Sequence, residues 1–339
     1  APMTDEGAAR ARPGLPGSGV RRARGARRVA ITAYLIRRLG HSVLVLAGLL
    51  VFVFVLGRGI GDPAKMMIAP DASQEQYLAT RAQYGFDQPL YVQFMRTASG
   101  WIQGDFGNSL WQRVPSLPVA ISRVPATLHL AFVTALIAIP TAIIIGTISA
   151  IRPRSWLDRL LTVISLGGVS TAEFWLGLMM ILLFAVQLGW LPTSGYGGLE
   201  YTILPALTLA FRPIGRIAQV ARGAMLDEMS KPYVTTARSK GLAERVCTFG
   251  HAFRNAAIPI ITLSGDETAS LLNGAVVVET VFGWAGIGSL LIQSINRRDL
   301  PLVEATIFVI AIMIISLNLI VDVVYTKIDP RIRFGGAAA

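Results

Sequence analysis

Tyr233-Val-Thr-Thr-Ala-Arg-Ser-Lys-Gly241 is a short polar run between two long apolar stretches, Ile203–Met225 and Ile258–Val281. Four more apolar stretches lie outward from that pair: His41–Ile60, Leu128–Ile151, Leu160–Leu188 and Val303–Tyr325. A helix crossing the hydrocarbon needs about 20 mostly apolar residues. All six stretches meet that length, so the chain reads as an all-α integral membrane protein with six spans. Composition agrees. The 339 residues are 53% hydrophobic and 15% charged, where soluble domains carry about 25% charged residues.

The net charge of +11 sets orientation rather than ligand. Arg10, Arg12, Arg21, Arg22, Arg24, Arg27, Arg28, Arg37 and Arg38 precede the first span. Arg152, Arg154 and Arg159 separate the second from the third, and Lys231, Arg238, Lys240, Arg245 and Arg254 the fourth from the fifth. Lys327, Arg331 and Arg333 follow the last. These are alternate loops, so the positive-inside rule places them and both termini in the cytoplasm. No aromatic-basic module accompanies the charge, which argues against a nucleic-acid partner. The single Cys247 excludes an intramolecular disulfide and a cysteine metal cluster.

The chain divides accordingly. Residues 1–29 read as a disordered basic tail, and 30–60 as an amphipathic start and the first span. Residues 61–123 form a small extracytoplasmic cap, and 124–326 a five-span core holding a short cytoplasmic helix at 232–241. Residues 327–339 form a cytoplasmic tail. In the cap, Asp87-Gln-Pro-Leu90 predicts a helix start with Asp87 as N-cap and Pro89 in the first turn. Leu90, Phe94 and Trp101 then fall near one face. Trp156, Trp190 and Trp284 sit near span ends, as interfacial anchors do.

The polar run has the marks of a bounded helix. Pro232 suits the first turn, where its missing N–H costs nothing, and Gly241 suits the left-handed position that ends a helix. Tyr233, Ala237 and Lys240 or Gly241 share one face at helical spacing. Such a helix offers an aromatic knob to a groove on another protein; an ordinary surface turn is the alternative.

Nothing in the sequence marks an engine. No G-x-x-x-x-G-K-[ST] phosphate cradle occurs. His41, His129 and His251 are scattered, and there is no G-x-S-x-G elbow, so the chain does not read as an enzyme and holds neither cofactor nor metal. A gradient-driven carrier remains a competing reading, favoured by ion-coordinating carboxylates at mid-membrane.

Charged residues do lie inside the spans. Arg212 and Arg216 are in the fourth, Asp266 and Glu267 in the fifth. At about 1.5 Å per residue, Arg212 and Asp266 reach similar depths near mid-bilayer. Thr208, Arg212, Arg216 and Gln219 form one polar stripe, and Thr262, Asp266, Ser270 and Asn273 another. Either the stripes line a translocation pathway, or Arg212 and Asp266 pair to hold the two spans together. Glu173 and Glu304 are further embedded carboxylates, and Glu279 reads as a structural element of the outer gate.

The run Tyr233–Arg245 with His251-Ala-Phe-Arg-Asn-Ala-Ala-Ile-Pro259 resembles the EAA-type loop of ABC importer permeases, in the dipeptide/oligopeptide/nickel group. Tyr34-Leu-Ile-Arg-Arg38, Gly61-Asp-Pro-Ala64, Asp87–Gln93, Gly104-Asp-Phe-Gly-Asn-Ser109 and Ser155-Trp-Leu-Asp-Arg159 agree with that group. So do Phe174-Trp-Leu-Gly177, Leu188-Gly-Trp-Leu-Pro192, Gly274–Phe282 and Asp329-Pro-Arg331. The resemblance runs from about residue 31 to 334. It implies a type I ABC importer permease in a bacterial inner membrane. It implies as partners a second similar permease, two ATPase subunits or domains that hold the ATP and Mg, and an extracytoplasmic solute-binding protein. It also implies that Tyr233, Thr236, Ala237, Lys240 and Gly241 dock on the ATPase and turn the chain. Thr235-Thr236-Ala237 replaces Glu-Ala-Ala, and Pro232 stands where Asp is frequent. Short peptides are the expected cargo, with nickel chelates or haem as alternatives.

Overall fold

The computed structural model describes residues 18–59, 64, 68, 73–83 and 85–328. Most of Gly61-Asp-Pro-Ala64, the Asp329-Pro-Arg331 motif and residues 1–17 lie outside these. The chain divides into residues 48–330 and a second unit of 1–47 with 331–339. Within that second unit the described part is helical from Ser18, inside the stretch read as a disordered tail.

The helices in order are α1 (Ser18–Gly59), α2 (Gln74–Gln83), α3 (Leu90–Gln103), α4 (Ser116–Ile151), α5 (Trp156–Ser170) and α6 (Glu173–Met180). There follow α7 (Leu199–Met229), α8 (Pro232–Ser239), α9 (Phe253–Val281), α10 (Ile287–Asn296) and α11 (Leu300–Ile328). A π-helical turn, Ile181–Gln187, continues α6, and another, Val246–Ala252, leads into α9. Among the described residues there is no strand; a single isolated bridge joins Asn108 to Pro115.

Three described helices are long and apolar enough to cross a membrane: Arg37–Arg58, Ser116–Ile151 and Leu300–Val324. The expected third span is not one rod. Trp156–Ser170 and Glu173–Gln187 meet at 110°, and together they make a fourth candidate. Thr171 and Ala172 adopt extended backbone at the break. The expected fourth and fifth spans lie in α7 and α9, of 31 and 29 residues. Their internal charges keep them from qualifying on apolarity, so length and composition alone reach four spans among the described residues, not six.

The core is built on α7, which packs against α4, α5, α6 and α9. The contacts are made by small residues. A Cβ on Gly146 of α4 would sit 2.6 Å from the Ala218 carbonyl oxygen, and one on Gly168 of α5 would sit 2.5 Å from that of Phe211. A Cβ on Gly215 would collide with the Ser165 carbonyl oxygen. Lipid tails are as apolar as leucine, so helices in a bilayer associate through such close backbone approach.

Two local expectations are corrected. Helix α3 starts at Leu90 with Pro89 at the N-cap position and no side-chain cap, so Asp87 lies before the helix and does not close its first turn. Phe94 and Trp101 do face inward, Phe94 stacking edge-on against Phe54 and Trp101, while Leu90 is exposed. Trp284 is no interfacial anchor. It is 1% exposed, its indole N–H donates to the Ala126 carbonyl at 3.0 Å, and its ring stacks on His129. Trp156 and Trp190 are exposed, as anchors are.

Gly215→Ala should lower the thermal stability of the purified protein, at a cost of about 1–3 kcal/mol from overpacking. Gly223 has open space around it, so Gly223→Ala on the same helix should be neutral or stabilising. Melting followed by size-exclusion chromatography compares the two directly, and equal melting temperatures would contradict the packing argument.

Candidate functional site

The run Pro232–Ser239 is a helix, with Pro232 in the first turn and Gly241 left-handed at φ +78°. Its two faces are unequal. Val234 is fully buried and Ala237 nearly so. Tyr233, Thr236, Lys240 and Gly241 are exposed. Ala237 therefore does not share an outward face with Tyr233, which corrects its assignment as a docking contact. It joins one apolar cluster with Val234, with Ala142 of α4, Ala218 and Met225 of α7, and Ala256 and Ile260 of α9.

The outward face is pinned by a polar clamp. The Tyr233 hydroxyl donates to Glu228 Oε2 at 2.6 Å and accepts from Asn255 Nδ2 at 3.0 Å. Lys231 Nζ donates to Glu228 Oε1 at 2.6 Å. The bonds from Lys231 and then Tyr233 hold the Glu228 carboxyl below its ordinary 4.5. Burial, followed by the bond to Glu228, holds the Tyr233 phenol above 10.0. At the far end Arg238 grips Glu244 through two bonds of 3.0 and 2.6 Å.

The second constellation lies on α7 and α9. Thr262, Asp266, Ser270 and Asn273 are all exposed along one face of α9, so this polar stripe is continuous. The α7 stripe is not: Thr208 is fully buried, near Gly177 of α6. The ion pairs also differ from the expected Arg212–Asp266 pair. Arg216 pairs with Glu267, which is 3% exposed. Arg212 reaches Glu173 across 3.9 Å, with its side chain 55% exposed. Asp266 makes no salt bridge among the described residues. A Cβ on Gly274 would sit 2.7 Å from Glu173 Oε2, so this carboxylate bridges α6, α7 and α9.

Glu279 is fully buried and makes no salt bridge among the described residues. It accepts from Thr127 Oγ1 at 2.5 Å and from the Gly288 and Ser289 amides at 2.8 and 3.1 Å. It thereby ties the end of α9 to the start of α10 and to α4. Gly286 and Gly288 leave room that a side chain would occupy. Among the described residues no group of three or more His, Cys, Asp or Glu could hold a metal ion.

Residues 142–334 match the family described as binding-protein-dependent transport system inner membrane component. The chain is 39% identical over 303 residues to the glutathione transport system permease protein GsiC of Escherichia coli (strain K12), covering 89% of this chain and 99% of that protein. The Salmonella paratyphi A protein of the same name is 38% identical over the same length. In fold, the crystal structure of an amino acid ABC transporter with histidines superposes with a TM-score of 0.50 at 17% identity, over 62% of this chain and 94% of that one. The chain belongs to the binding-protein-dependent permease family. It is a permease subunit of an ABC importer and an inner-membrane component with several apolar helices. Permease components of this kind are not themselves enzymes, and membership implies ATPase and substrate-binding partners.

The sequence reading of this permease missed one site. Asp158 is 4% exposed and accepts from Arg222 Nε and Nη2 at 2.7 and 2.9 Å, from the Arg154 amide at 2.8 Å, and from Ser149. It links α5, α7 and α4. The available signal was Ser155-x-x-Asp158, a helix-start pattern, realised as an Asp158 amide bond to Ser155 Oγ at 3.1 Å.

A carboxylate with a lowered value adds stability above its ordinary range and loses it as pH falls through the lowered value. A phenol with a raised value contributes fully below its ordinary value and loses that contribution as pH rises through the raised one. The Tyr233–Glu228 clamp is therefore complete from 4.5 up to 10.0. Hydrogen exchange in the Val234–Ser239 amides, corrected for intrinsic rate, should stay flat between those limits. Glu228→Gln should speed it roughly threefold to tenfold; unchanged exchange would show the clamp to be idle.

Proposed function

We propose that this permease carries short peptides inward by alternating access, paired with a second similar permease. In this reading the termini, α8 and the 152–159 loop face the cytoplasm, and residues 61–123 cap the outer mouth. The observation that carries it is the split character of α8. Its inner residues, Val234 and Ala237, are part of the same apolar cluster as α4, α7 and α9, while Tyr233, Thr236 and Lys240 present an exposed edge. An ATPase subunit gripping that edge moves the spans because interiors are close-packed and transmit displacement. Unequal binding of the two conformations by the ATPase drives the switch. The ATP and Mg reside in the ATPase.

The pathway runs along the polar face of α9, through Asp266, Ser270 and Asn273, beside the pairs Arg216–Glu267 and Arg212–Glu173. Arg212 and Asp266 are the two charges there with least compensation from the protein. A peptide zwitterion brings a carboxylate and an ammonium to meet them. Similarity to proteins named for glutathione transport supports a peptide-like cargo. Glu279 serves as a fixed staple beneath the outer gate.

Vesicles holding the assembled permeases, ATPase and binding protein should take up a dipeptide only with ATP. Uptake that persists without ATP and collapses with an uncoupler would overturn the reading. Arg212→Ala and Asp266→Asn should each lower uptake several-fold while the complex still assembles. Loss of assembly instead would make them structural.

A further inference from the structure

A cleft of about 760 Å³ opens in the cap segment, between α3, the 104–113 loop and the start of α11. It lies away from α8 and from the polar face of α9. Its volume is in the range of small-molecule sites. Three arginines line it, Arg58, Arg96 and Arg113, against two carboxylates, Asp105 and Glu304, which leaves one excess positive charge.

The charges divide into a spent floor and a free rim. On the floor, Arg58 lies 3.7 Å from Glu304 and donates to Gln93 at 3.2 Å. The Trp101 indole donates to the other Glu304 oxygen at 3.3 Å. At the rim, Arg96 and Arg113 are exposed, and neither makes a salt bridge among the described residues. Asp105 Oδ1 accepts from the Gly107 amide at 2.8 Å.

The loop carrying Arg113 is held by several hydrogen bonds. The Arg113 backbone is left-handed, φ +57°, a conformation that non-glycine residues seldom adopt. It is held there by the Arg113 amide bond to Ser109 O and the Ser109 amide bond to Val114 O, both 2.9 Å. Ser109 Oγ and the Trp111 amide are in turn anchored on buried Asp299 at 2.5 and 3.1 Å. Arg96 Nη1 lies 3.1 Å from where a Cβ on Gly85 would sit, so that glycine leaves the guanidinium room. Strained backbone held by surrounding bonds accompanies ligand sites more often than plain surface.

We propose that this cleft binds a small peptide-like acid by its carboxylate, with Arg96 and Arg113 as the anion-binding pair and Asp105 at the opposite polarity for an ammonium. Guanidinium pairs carboxylate through two parallel N–H bonds, and the apolar walls from Phe106 and Leu300 cover the ligand's body. The site is a station for anionic peptides outside the membrane, distinct from the pathway along α9. It rests on the importer reading and the orientation proposed above.

The test uses the full permease–ATPase complex in nanodiscs, without binding protein, and S-methylglutathione as probe. Equilibrium dialysis should show saturable binding that weakens with salt. It should weaken at least about tenfold, the cost of losing charge-assisted bonds, in the Arg96→Gln/Arg113→Gln double variant. Trialanine amide, which has no carboxylate, should not bind. Binding unchanged in the double variant, or lost only in Asp266→Asn, would overturn the proposal. So would a wild-type complex that never binds the probe while the double variant loses stimulation by the binding protein, since the cleft would then seat a protein carboxylate. ATP-driven uptake by the wild type is scored separately, so the cleft fails without the importer reading failing with it.

Discussion

Close backbone approach along α7 is the constraint on which the rest depends. Water drives helices together in soluble proteins, but lipid gives no such push. Dispersion must supply the attraction, and it fades within a fraction of an ångström. Hence Gly146, Gly168 and Gly215 sit where a methyl group would meet a carbonyl oxygen or side chain of the neighbouring helix. Ala210, Ala218 and Ala221 extend the same small-residue surface, each at most 2% exposed. A helix packed this tightly on four sides is held by its neighbours, and α8 begins two residues beyond its end.

Carboxylates at helix junctions supply what small residues cannot, which is direction. Asp158 joins α5 to α7 through a bidentate arginine. Glu279 joins α9, α10 and α4 through amides and a hydroxyl alone. Asp299 anchors the 109–111 turn and accepts from the Leu302 amide at the start of α11 at 3.3 Å. A buried charge is tolerated when several donors surround it, and the donors are then fixed in place by the need to stay there. These anchors fix how the ends of α4, α5, α7, α9, α10 and α11 meet.

What was legible in the sequence was local. Pro232 and Gly241 mark the ends of α8 because first-turn proline and left-handed glycine are decided by the backbone of the residue itself. The α9 stripe was legible for the same reason, since four polar residues at helical spacing share a face of any helix. Apart from Asp87 at the start of α3, the misreadings are long-range. Trp284 looks like an anchor until Ala126, 158 residues away, accepts its N–H. Ala237 looks outward until the packing of α4 and α7 turns it inward. The break at Thr171 and Ala172 carries no proline to announce it. Arg212 and Asp266 matched in depth, but which acid each arginine meets depends on the bend that brings Glu173 beside Gly274.

That bend also explains why the two arginines are held so differently. Arg216 meets a carboxylate from α9 that is almost wholly buried, in direct contact, although 41% of its own side chain is exposed. Arg212 meets Glu173 at the mouth of the break, across a distance too long for a hydrogen bond, and most of its side chain remains accessible. Desolvation makes a closed pair costly to open, whereas a loose, exposed pair exchanges partners cheaply. The pair next to the break is therefore the looser of the two, and Arg216–Glu267 is the one that ties α7 to α9.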